Sequence, residues 1–311
     1  MKGLIRLLWE LIFATIRIAT PLVLVALGGL LTFQAGILNI ALDGFMLIGA
    51  FVAIWVAYLT GSLTIGIAAA AAAGLLAALL FGLFNLKLKA NIFIAGIAMN
   101  LLASGLTALL LKGVLKQDGV FTSNRIPTFP RIAIPLLDSV PILRDTISGH
   151  TLLVYVAFAL VPVVSFFLYR TKWGLRVRSV GEAEEAALTA GIPVFGIKLQ
   201  TVLLSGVLCG LGGAYLSLGY VSLFSRDMTA DRGLIALAAI YFARGHPVRT
   251  VAVALLFGAA QAVTVQLQQS VGIAPQLIQT IPYIVTVLAL CFVGIQTTRA
   301  FGAHRGERFE T

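Results

Sequence analysis

The sequence consists largely of long apolar runs that short polar connections separate. A transmembrane helix needs about 20 apolar residues, and eight runs approach or exceed that length. They cover residues 18–32, 44–60, 62–84, 91–111, 151–169, 196–217, 247–267 and 277–297. Inside a bilayer, every backbone N–H and C=O needs a partner within the protein, which only helices or a closed barrel provide. Because these runs are continuous and do not alternate in polarity, they predict an all-α membrane protein.

The composition excludes an ordinary soluble domain. Hydrophobic residues make up 59% of the 311 residues and charged residues 11%, whereas soluble domains carry about 25% charged residues. The net charge is +10, but the lysines and arginines are spread over the connections and form no single face. That distribution is typical of the positive-inside rule of membrane proteins, and nucleic acid is not expected as a partner.

Two further apolar segments, 33–43 and 230–243, are short or interrupted. If both cross the membrane, 15 of the 22 lysines and arginines fall on one side, which the positive-inside rule places in the cytoplasm. Five of the other seven lie in the long connection 112–150, where that rule is weak. The sequence therefore predicts about ten crossings, two of them short or broken, with both termini cytoplasmic. Residues 112–150 are then an external loop, and residues 298–311 a cytoplasmic tail.

The two interrupted segments begin alike. Asp43-Gly44 and Asp231-Arg232-Gly233 each precede an apolar run, and the predicted topology sends these runs in opposite directions. Paired broken segments in the two halves of a chain are the best sequence indication of a transport site. We therefore expect a possible inverted repeat, with the transport path near these segments.

Polar side chains within apolar segments mark the expected path. A carboxylate at membrane depth costs at least about 2.5–3.5 kcal/mol on insertion scales, so it must pair, line a cavity or lie near an interface. Helix N-capping is the alternative for Asp43 and Asp231, and an interhelical hydrogen bond is the alternative for Asn100. The residues predicted to lie along the substrate pathway are Phe33, Asn39, Asp43, Met46, Asn100, Phe224 and Asp231.

Small residues recur at the spacing that lets helices approach closely in lipid. They form two groups in different apolar runs, and their simplest interpretation is ordinary helix packing. The groups are Gly74, Ala78 and Gly82, and Gly206, Gly210 and Gly213.

A short helix is predicted over residues 182–190, in the connection 179–193. Three glutamates lie at its start, where they favour the helix dipole, and Gly191 and Pro193 prevent its continuation. A self-contained helix in a cytoplasmic connection is suited to docking into a groove of another protein. The alternative is an amphipathic helix on the lipid surface, which the carboxylates disfavour.

Three stretches of the sequence resemble one family. Gly181 to Ile192, Gly-Glu-x-x-x-Ala-Ala-x-x-Ala-Gly-Ile, is similar to the cytoplasmic coupling loop of bacterial ABC-importer permeases of the branched-chain amino acid/ribose type. Residues 36–50 resemble the early signature of that family. Residues 232–239, followed by Gly-His-Pro at 245–247, most resemble its nucleoside-type permeases. The resemblance covers about residues 15–296, with Asp43 where relatives often carry Glu.

The resemblance implies that residues 1–311 form a single permease domain of a nucleoside importer in a bacterial inner membrane. A simple-sugar importer is the alternative. It also implies three kinds of partner: a second permease in a heterodimer, cytoplasmic ATPases and an external binding protein. The sequence contains no G-x-x-x-x-G-K loop, so no cofactor is expected on this chain, and ATP is used by the partner. The residues expected to couple to the ATPase are Gly181, Glu182, Ala186, Ala187, Gly191 and Ile192.

Two rival functions come from other classes. In an ion-coupled secondary transporter, Asp43 or Asp231 would carry the proton. An intramembrane enzyme would need a metal pair or a nucleophile with its base. The apolar runs contain neither, and the three histidines lie in connections and the tail. No catalytic or metal-binding residue is therefore predicted.

Overall fold

The protein is described by a computed structural model over residues 2–132 and 148–270, and helices make up most of that length. The helices are Lys2–Gln34 (α1), Leu42–Thr60 (α2), Leu63–Gly82 (α3), Ile92–Gly113 (α4), Leu152–Arg170 (α5), Lys172–Glu182 (α6), Glu184–Thr189 (α7), Val194–Ala214 (α8), Arg232–Phe242 (α9) and Pro247–Ser270 (α10). Short π-helical turns extend α3 over Leu83–Lys87 and α8 over Tyr215–Tyr220.

Seven described helices are long and apolar enough to cross a membrane. They are Trp9–Gln34, Leu42–Thr60, Leu63–Lys87, Ile92–Gly113, Leu152–Arg170, Val194–Tyr220 and Pro247–Gln268. Helix α9 is apolar but shorter. The predicted all-α membrane fold is thus confirmed for the described residues, and the predicted crossing 277–297 and tail 298–311 lie outside them.

The ten predicted crossings are not confirmed, because residues 33–43 do not form a helix of their own. Helix α1 continues to Gln34, residues 35–41 form a non-helical connection, and α2 begins at Leu42. Gly36, at φ +76°, ends α1. Its N–H donates to Phe33 O at 3.0 Å, and the Ile37 N–H donates to Thr32 O at 2.9 Å, which is the glycine-based Schellman stop.

Two antiparallel ribbons form on one face of the helix bundle. Strand β1 (Val120–Phe121) pairs with β4 (Phe224–Ser225), and β2 (Arg131–Ile132) pairs with β3 (His150–Thr151). The predicted loop 112–150 is therefore tied, in its described part, to the segment that follows α8. We call this side the ribbon face, and the opposite side, which carries α6 and α7, the α7 face.

Glycines allow the central helices to pack with their backbones in contact. A Cβ on Gly206 would clash with the carbonyl oxygen of Gly74 on α3, and a Cβ on Gly49 would approach Gly210 Cα to 2.6 Å. A Cβ on Gly213 would clash with the carbonyl oxygen of Met46. The predicted role of these small residues in helix packing is confirmed, and it holds α2 and α3 against α8.

The contacts at the ends of α1 show which face each end lies on. Gln34 contacts Gly245, and Gly36 packs on Gly181, so α1 ends on the α7 face. Nearer its amino-terminal end, Phe13 stacks on His150 of β3, so that part of α1 lies at the ribbon face. Three long helices, α1 to α3, therefore separate the amino-terminal end of α1 from Lys87. The sequence analysis expected the amino-terminal end of α1 and Lys87 to lie on the same side of the membrane. That expectation counted residues 33–43 as a crossing.

Candidate functional site

The two broken segments meet at one aspartate. Asp43 lies in the first turn of α2, and its Oδ2 accepts a hydrogen bond from Thr229 Oγ1 at 2.8 Å. Its Oδ1 accepts a hydrogen bond from the backbone N–H of Gly233, in the first turn of α9, at 3.0 Å. A Cβ on Gly233 would clash with the backbone N of Asp43, so only glycine permits this approach. We call residues 35–44 and 228–233 the junction.

The Asp43 carboxylate stabilises the start of α9 from outside that helix. The first N–H groups of a helix lack partners within the helix and carry a partial positive charge. Here Asp43, 190 residues earlier in the chain, provides an acceptor for one of them. Asp231 is the residue before α9, but it has φ +57° and its side chain makes no capping hydrogen bond. The N-capping considered for Asp43 and Asp231 is therefore not observed at the helix that follows either residue. Asp43 instead provides an acceptor for the start of α9, a different helix.

Asn100 fastens the beginning of α2 to the middle of α4. Its Nδ2 donates to Ile40 O at 3.0 Å, and its Oδ1 accepts from the Gly44 N–H at 2.8 Å. Both backbone groups lie where the chain changes from the connection to helix, so they need partners from elsewhere. The observed role is the interhelical hydrogen bond considered as the alternative for Asn100.

Asn39 performs the same task within the connection. It is buried, its Oδ1 accepts from the Ala41 N–H at 3.0 Å, and its Nδ2 donates to Ser205 Oγ on α8 at 3.3 Å. The three polar residues that the sequence singled out therefore lie together at the junction. Each makes hydrogen bonds that hold non-helical backbone or a helix start in place.

The other predicted pathway residues lie elsewhere. Met46 and Phe224 are fully buried, and Phe224 packs edge-to-face on Phe51 with ring centroids 5.2 Å apart. Phe33 is half-buried on the α7 face, and its ring centroid lies 5.2 Å from that of Tyr241. The predicted set therefore divides between the junction, the helix core and a cavity on the α7 face.

That α7-face cavity has a volume of about 570 Å³. It lies between the end of α1, α6 and the end of α9, and its polar and aromatic lining includes Phe33, Tyr169, Arg178, Glu182, Tyr241 and Arg244. At its edge, Gln34 Nε2 donates to Gly245 O at 2.6 Å. Helix α9 is therefore held to the α1–α2 region at both ends, through Gln34 at its end and Asp43 at its start.

The short helix predicted over 182–190 is observed over Glu184–Thr189 as α7, because a break at Ala183 leaves Glu182 on α6. Gly191, at φ +75°, ends α7 as predicted. Its N–H donates to Leu188 O, and the Ile192 N–H donates to Ala187 O, both at 3.0 Å. The carboxylate of Glu184 forms an ion pair with Lys198 Nζ at 2.6 Å, which anchors α7 to α8.

The side chains of the predicted coupling residues differ in exposure. Glu182 and Ala186 are exposed, whereas Ala187 is 3% exposed and packs into the core. Leu188, which the sequence prediction omitted, is 56% exposed. The sequence does carry a signal for Leu188, which is an apolar residue close to glutamates on a polar helix. Gly181 lies against the α1–α2 connection, where a Cβ would clash with Gln34 O.

Within residues 2–132 and 148–270, no three His, Cys, Asp or Glu side chains come close enough together to hold a metal ion. Asp43 and Asp231, the two aspartates of the ion-coupled alternative, have different surroundings. Asp43 makes the hydrogen bonds described above, and Asp231 is exposed.

Comparison with known sequences gives consistent matches over nearly the whole chain. The family model for branched-chain amino acid transport system permease components matches residues 11–290. A Haloferax volcanii protein named as a candidate glucose ABC transporter permease is 33% identical, covering 92% of each chain. The guanosine ABC transporter permease protein NupQ of Bacillus subtilis is 33% identical, covering 94% of each chain. The nucleoside ABC transporter permease protein NupC of Lactococcus lactis is 33% identical, covering 89% of this chain and 90% of its own length.

Proposed function

Because the chain belongs to the family of branched-chain amino acid transport system permease components, it is a permease subunit of an ABC transporter, and we propose that its solute is a nucleoside. It is a multi-pass membrane protein and a transport component, not an enzyme. The observation that carries the choice of solute is its 33% identity, over about nine-tenths of the chain, to both a guanosine and a nucleoside permease. A simple sugar is the second candidate, because the same identity links the chain to the Haloferax protein.

In this proposal, the subunit imports its solute across a bacterial inner membrane together with a second permease in a heterodimer, two ATPases and an external binding protein. The ATPases hydrolyse the ATP, since this sequence has no P-loop. Helix α7 supports an ATPase partner, because it presents the exposed Leu188 among glutamates on the face where the connections are rich in basic residues.

The proposed motion is transmitted from α7 to the junction through one close backbone approach and two side-chain hydrogen bonds. Gly181, at the end of α6, touches the connection at Gln34 and Gly36. Gln34 holds the end of α9, and Asp43 holds its start. When the ATPases close and move α6 and α7, the connection and α9 shift together, and this shift opens or closes the path between the two permeases.

The path is proposed along the exposed side of α9, with the second permease as its other wall. Leu234 and Tyr241 on that helix are 43% and 50% exposed. Helices α2 and α9 start beside each other and run towards opposite faces, which supports the inverted arrangement of the two halves. At 11 residues, α9 is proposed to act as a half-crossing, not as a full one.

The α7 face is proposed to be cytoplasmic, because Lys87, Arg176 and Arg178 lie on that side. The amino-terminal end of α1 is then external. In a background without the native cysteines, Glu10→Cys is expected to react with a membrane-impermeant maleimide in intact cells. Glu185→Cys is expected to react only after permeabilisation, since it lies on α7. The reverse pattern would show that the subunit is inserted the other way.

Uptake by proteoliposomes that contain the complete transporter tests the solute. We expect saturable, ATP-dependent uptake of guanosine that other nucleosides inhibit and excess glucose does not. The matched control is the same complex with the P-loop lysine of its ATPase replaced, which should give no uptake. Glucose uptake that nucleosides do not inhibit would assign a sugar. Uptake that survives the ATPase variant but requires an ion gradient would contradict the importer mechanism.

A further inference from the structure

A second cavity, of about 310 Å³, opens on the ribbon face. It lies between the amino-terminal half of α1, the π-helical turn that ends α8 and the residues just before α5. Much of its wall is aromatic, formed by Phe13, Phe129, His150, Tyr215 and Tyr220. The remaining wall includes Arg17, the hydroxyl residues Thr128, Thr151 and Ser222, and two glycines. Its volume is at the lower end of the range for small-molecule sites, about 300–1,000 Å³.

Arg17 is held firmly in the wall of this cavity. Its Nη2 donates to Tyr220 O at 3.1 Å, and its guanidinium carbon lies 4.8 Å from the centroid of the Tyr220 ring. The Tyr215 hydroxyl donates to Arg17 O at 3.0 Å. A guanidinium fixed in this way is pre-organised to donate hydrogen bonds to a ligand.

Two polar atoms of residues that line the cavity are buried and have no hydrogen-bond partner. They are Nε of Arg17 and Oγ1 of Thr151. Buried polar groups almost always have a hydrogen-bond partner. Two such atoms without a partner beside one cavity therefore require an explanation. No carboxylate is among the described residues that line the cavity. Both atoms belong to groups that can donate, so a ligand that reached them after a small adjustment of the two side chains would need to bring an acceptor.

The cavity is closed on the side of the junction by Tyr220, behind which the space between the described residues admits no water molecule. That narrower space is lined by Ile18, Pro21, Leu216 and Arg232. Arg232 Nη1 donates to Met228 O and Thr229 O, both at 3.0 Å, and these carbonyls belong to the junction. A ligand in the ribbon-face cavity would thus lie one aromatic ring away from the segment that starts α9.

We infer that the ribbon-face cavity is an entrance subsite for a planar, acceptor-rich ring, and that it receives the base of the nucleoside before translocation. This inference rests on the proposed function for the identity of the solute. Phe13 and His150 stack on each other, and Arg17 lies over Tyr220, so the wall already holds flat groups in layers. A flat base would extend that stack, since every base has a π-face, and the Arg17 and Thr151 donors suit its carbonyl and ring-nitrogen acceptors. Glucose offers hydroxyl groups but no flat face.

Direct binding to the purified transporter, without its binding protein, tests the inference. The probes are guanosine, guanosine monophosphate and glucose. Thr151→Val removes the unpaired hydroxyl with little change in shape, and Arg17→Gln removes the charge. Each is expected to weaken guanosine binding about tenfold and to raise the KM for guanosine similarly, because each removes a hydrogen bond to a buried acceptor. The maximal uptake rate and ATP hydrolysis of Thr151→Val should stay near normal. Arg125→Gln, an exposed arginine on the same face, is the control and should change nothing.

Several results would overturn the subsite. One is a wild-type transporter that takes up guanosine but does not bind it when the binding protein is absent. The same conclusion would follow if it binds guanosine and neither Thr151→Val nor Arg17→Gln changes that binding. Another is binding of the monophosphate at least tenfold tighter than guanosine, which would show a site for anions. A third is unchanged guanosine binding with lost activation by the binding protein, which would show a protein docking surface. By contrast, a wild-type transporter that takes up no nucleoside contradicts the proposed function itself.

Discussion

Arginine in place of Leu188 is expected to abolish solute uptake while the permease stays folded in the membrane. The Leu188 side chain is 56% exposed on α7, so the folded subunit tolerates a change there. In the complex, this apolar side chain is proposed to be buried against the ATPase. Loss of a hot-spot residue at the centre of an interface costs at least about 2 kcal/mol, which lowers the affinity about 30-fold. The measurement is the amount of ATPase that co-purifies with a tagged permease, together with uptake.

Two variants of the same helix serve as controls for Leu188→Arg. Leu188→Met keeps an apolar side chain of similar volume and should retain the ATPase and normal uptake. Ala187→Leu changes the neighbouring buried residue, and overpacking there should reduce the amount of folded permease instead of its affinity for the ATPase. Normal ATPase binding and normal uptake by Leu188→Arg would remove α7 from the docking surface.

Alanine in place of Asp43 is expected to lower uptake at least about tenfold without preventing assembly of the transporter. The substitution leaves the Gly233 N–H and the Thr229 hydroxyl without their acceptor. A buried group that loses its partner costs about 1–3 kcal/mol, so the start of α9 separates from α2 in a large share of the molecules. Uptake and the amount of assembled complex are the two quantities to measure.

The amide variant at Asp43 separates the junction from a proton carrier. Asp43→Asn keeps Oδ1 as an acceptor for the Gly233 N–H, so a structural role predicts a milder loss than in Asp43→Ala. A proton carrier would lose function completely in both variants, since an amide does not titrate. Asp118→Ala removes a carboxylate that is 83% exposed and should have no effect. Normal uptake by Asp43→Ala would exclude a role for the junction in transport.

The long apolar runs predicted the membrane fold, because hydrocarbon leaves helices as nearly the only choice. The same runs did not reveal where helices end. Gly36 was readable as a helix stop followed by a non-helical connection. The sequence analysis nevertheless added a crossing there, because an even number of crossings was needed to place most of the basic residues on one side. That argument treated Lys2 and Arg6 as cytoplasmic. Local stop chemistry was the better guide, since a single glycine at positive φ ends a helix whatever the charge pattern elsewhere.

The junction could be located from the sequence, but the role of its residues could not. Asn39, Asp43 and Asn100 stood out as polar groups in apolar surroundings, which is a property of the local sequence. Their partners lie 56 to 190 residues away along the chain, except where Asn39 bonds its own connection. Only the fold shows that these side chains satisfy backbone groups at a break.

The sequence also did not predict which side chains of α7 are exposed. A helix over 182–190 gives no indication that the chain breaks at Ala183 and that Glu184 pairs with Lys198. Those two features set the rotation of α7. They bury Ala187 and expose Leu188.

The ratio of ATP hydrolysed to solute imported is the most direct test of the link between α7 and the junction. It should be measured in proteoliposomes that contain the complete transporter, with wild-type permease and with Asp43→Ala. If the junction transmits the movement of α7 to the path, the variant should hydrolyse ATP at a near-normal rate while uptake falls, so the ratio rises about tenfold or more. A ratio equal to that of the wild type, with hydrolysis and uptake reduced together or both unchanged, would contradict this account.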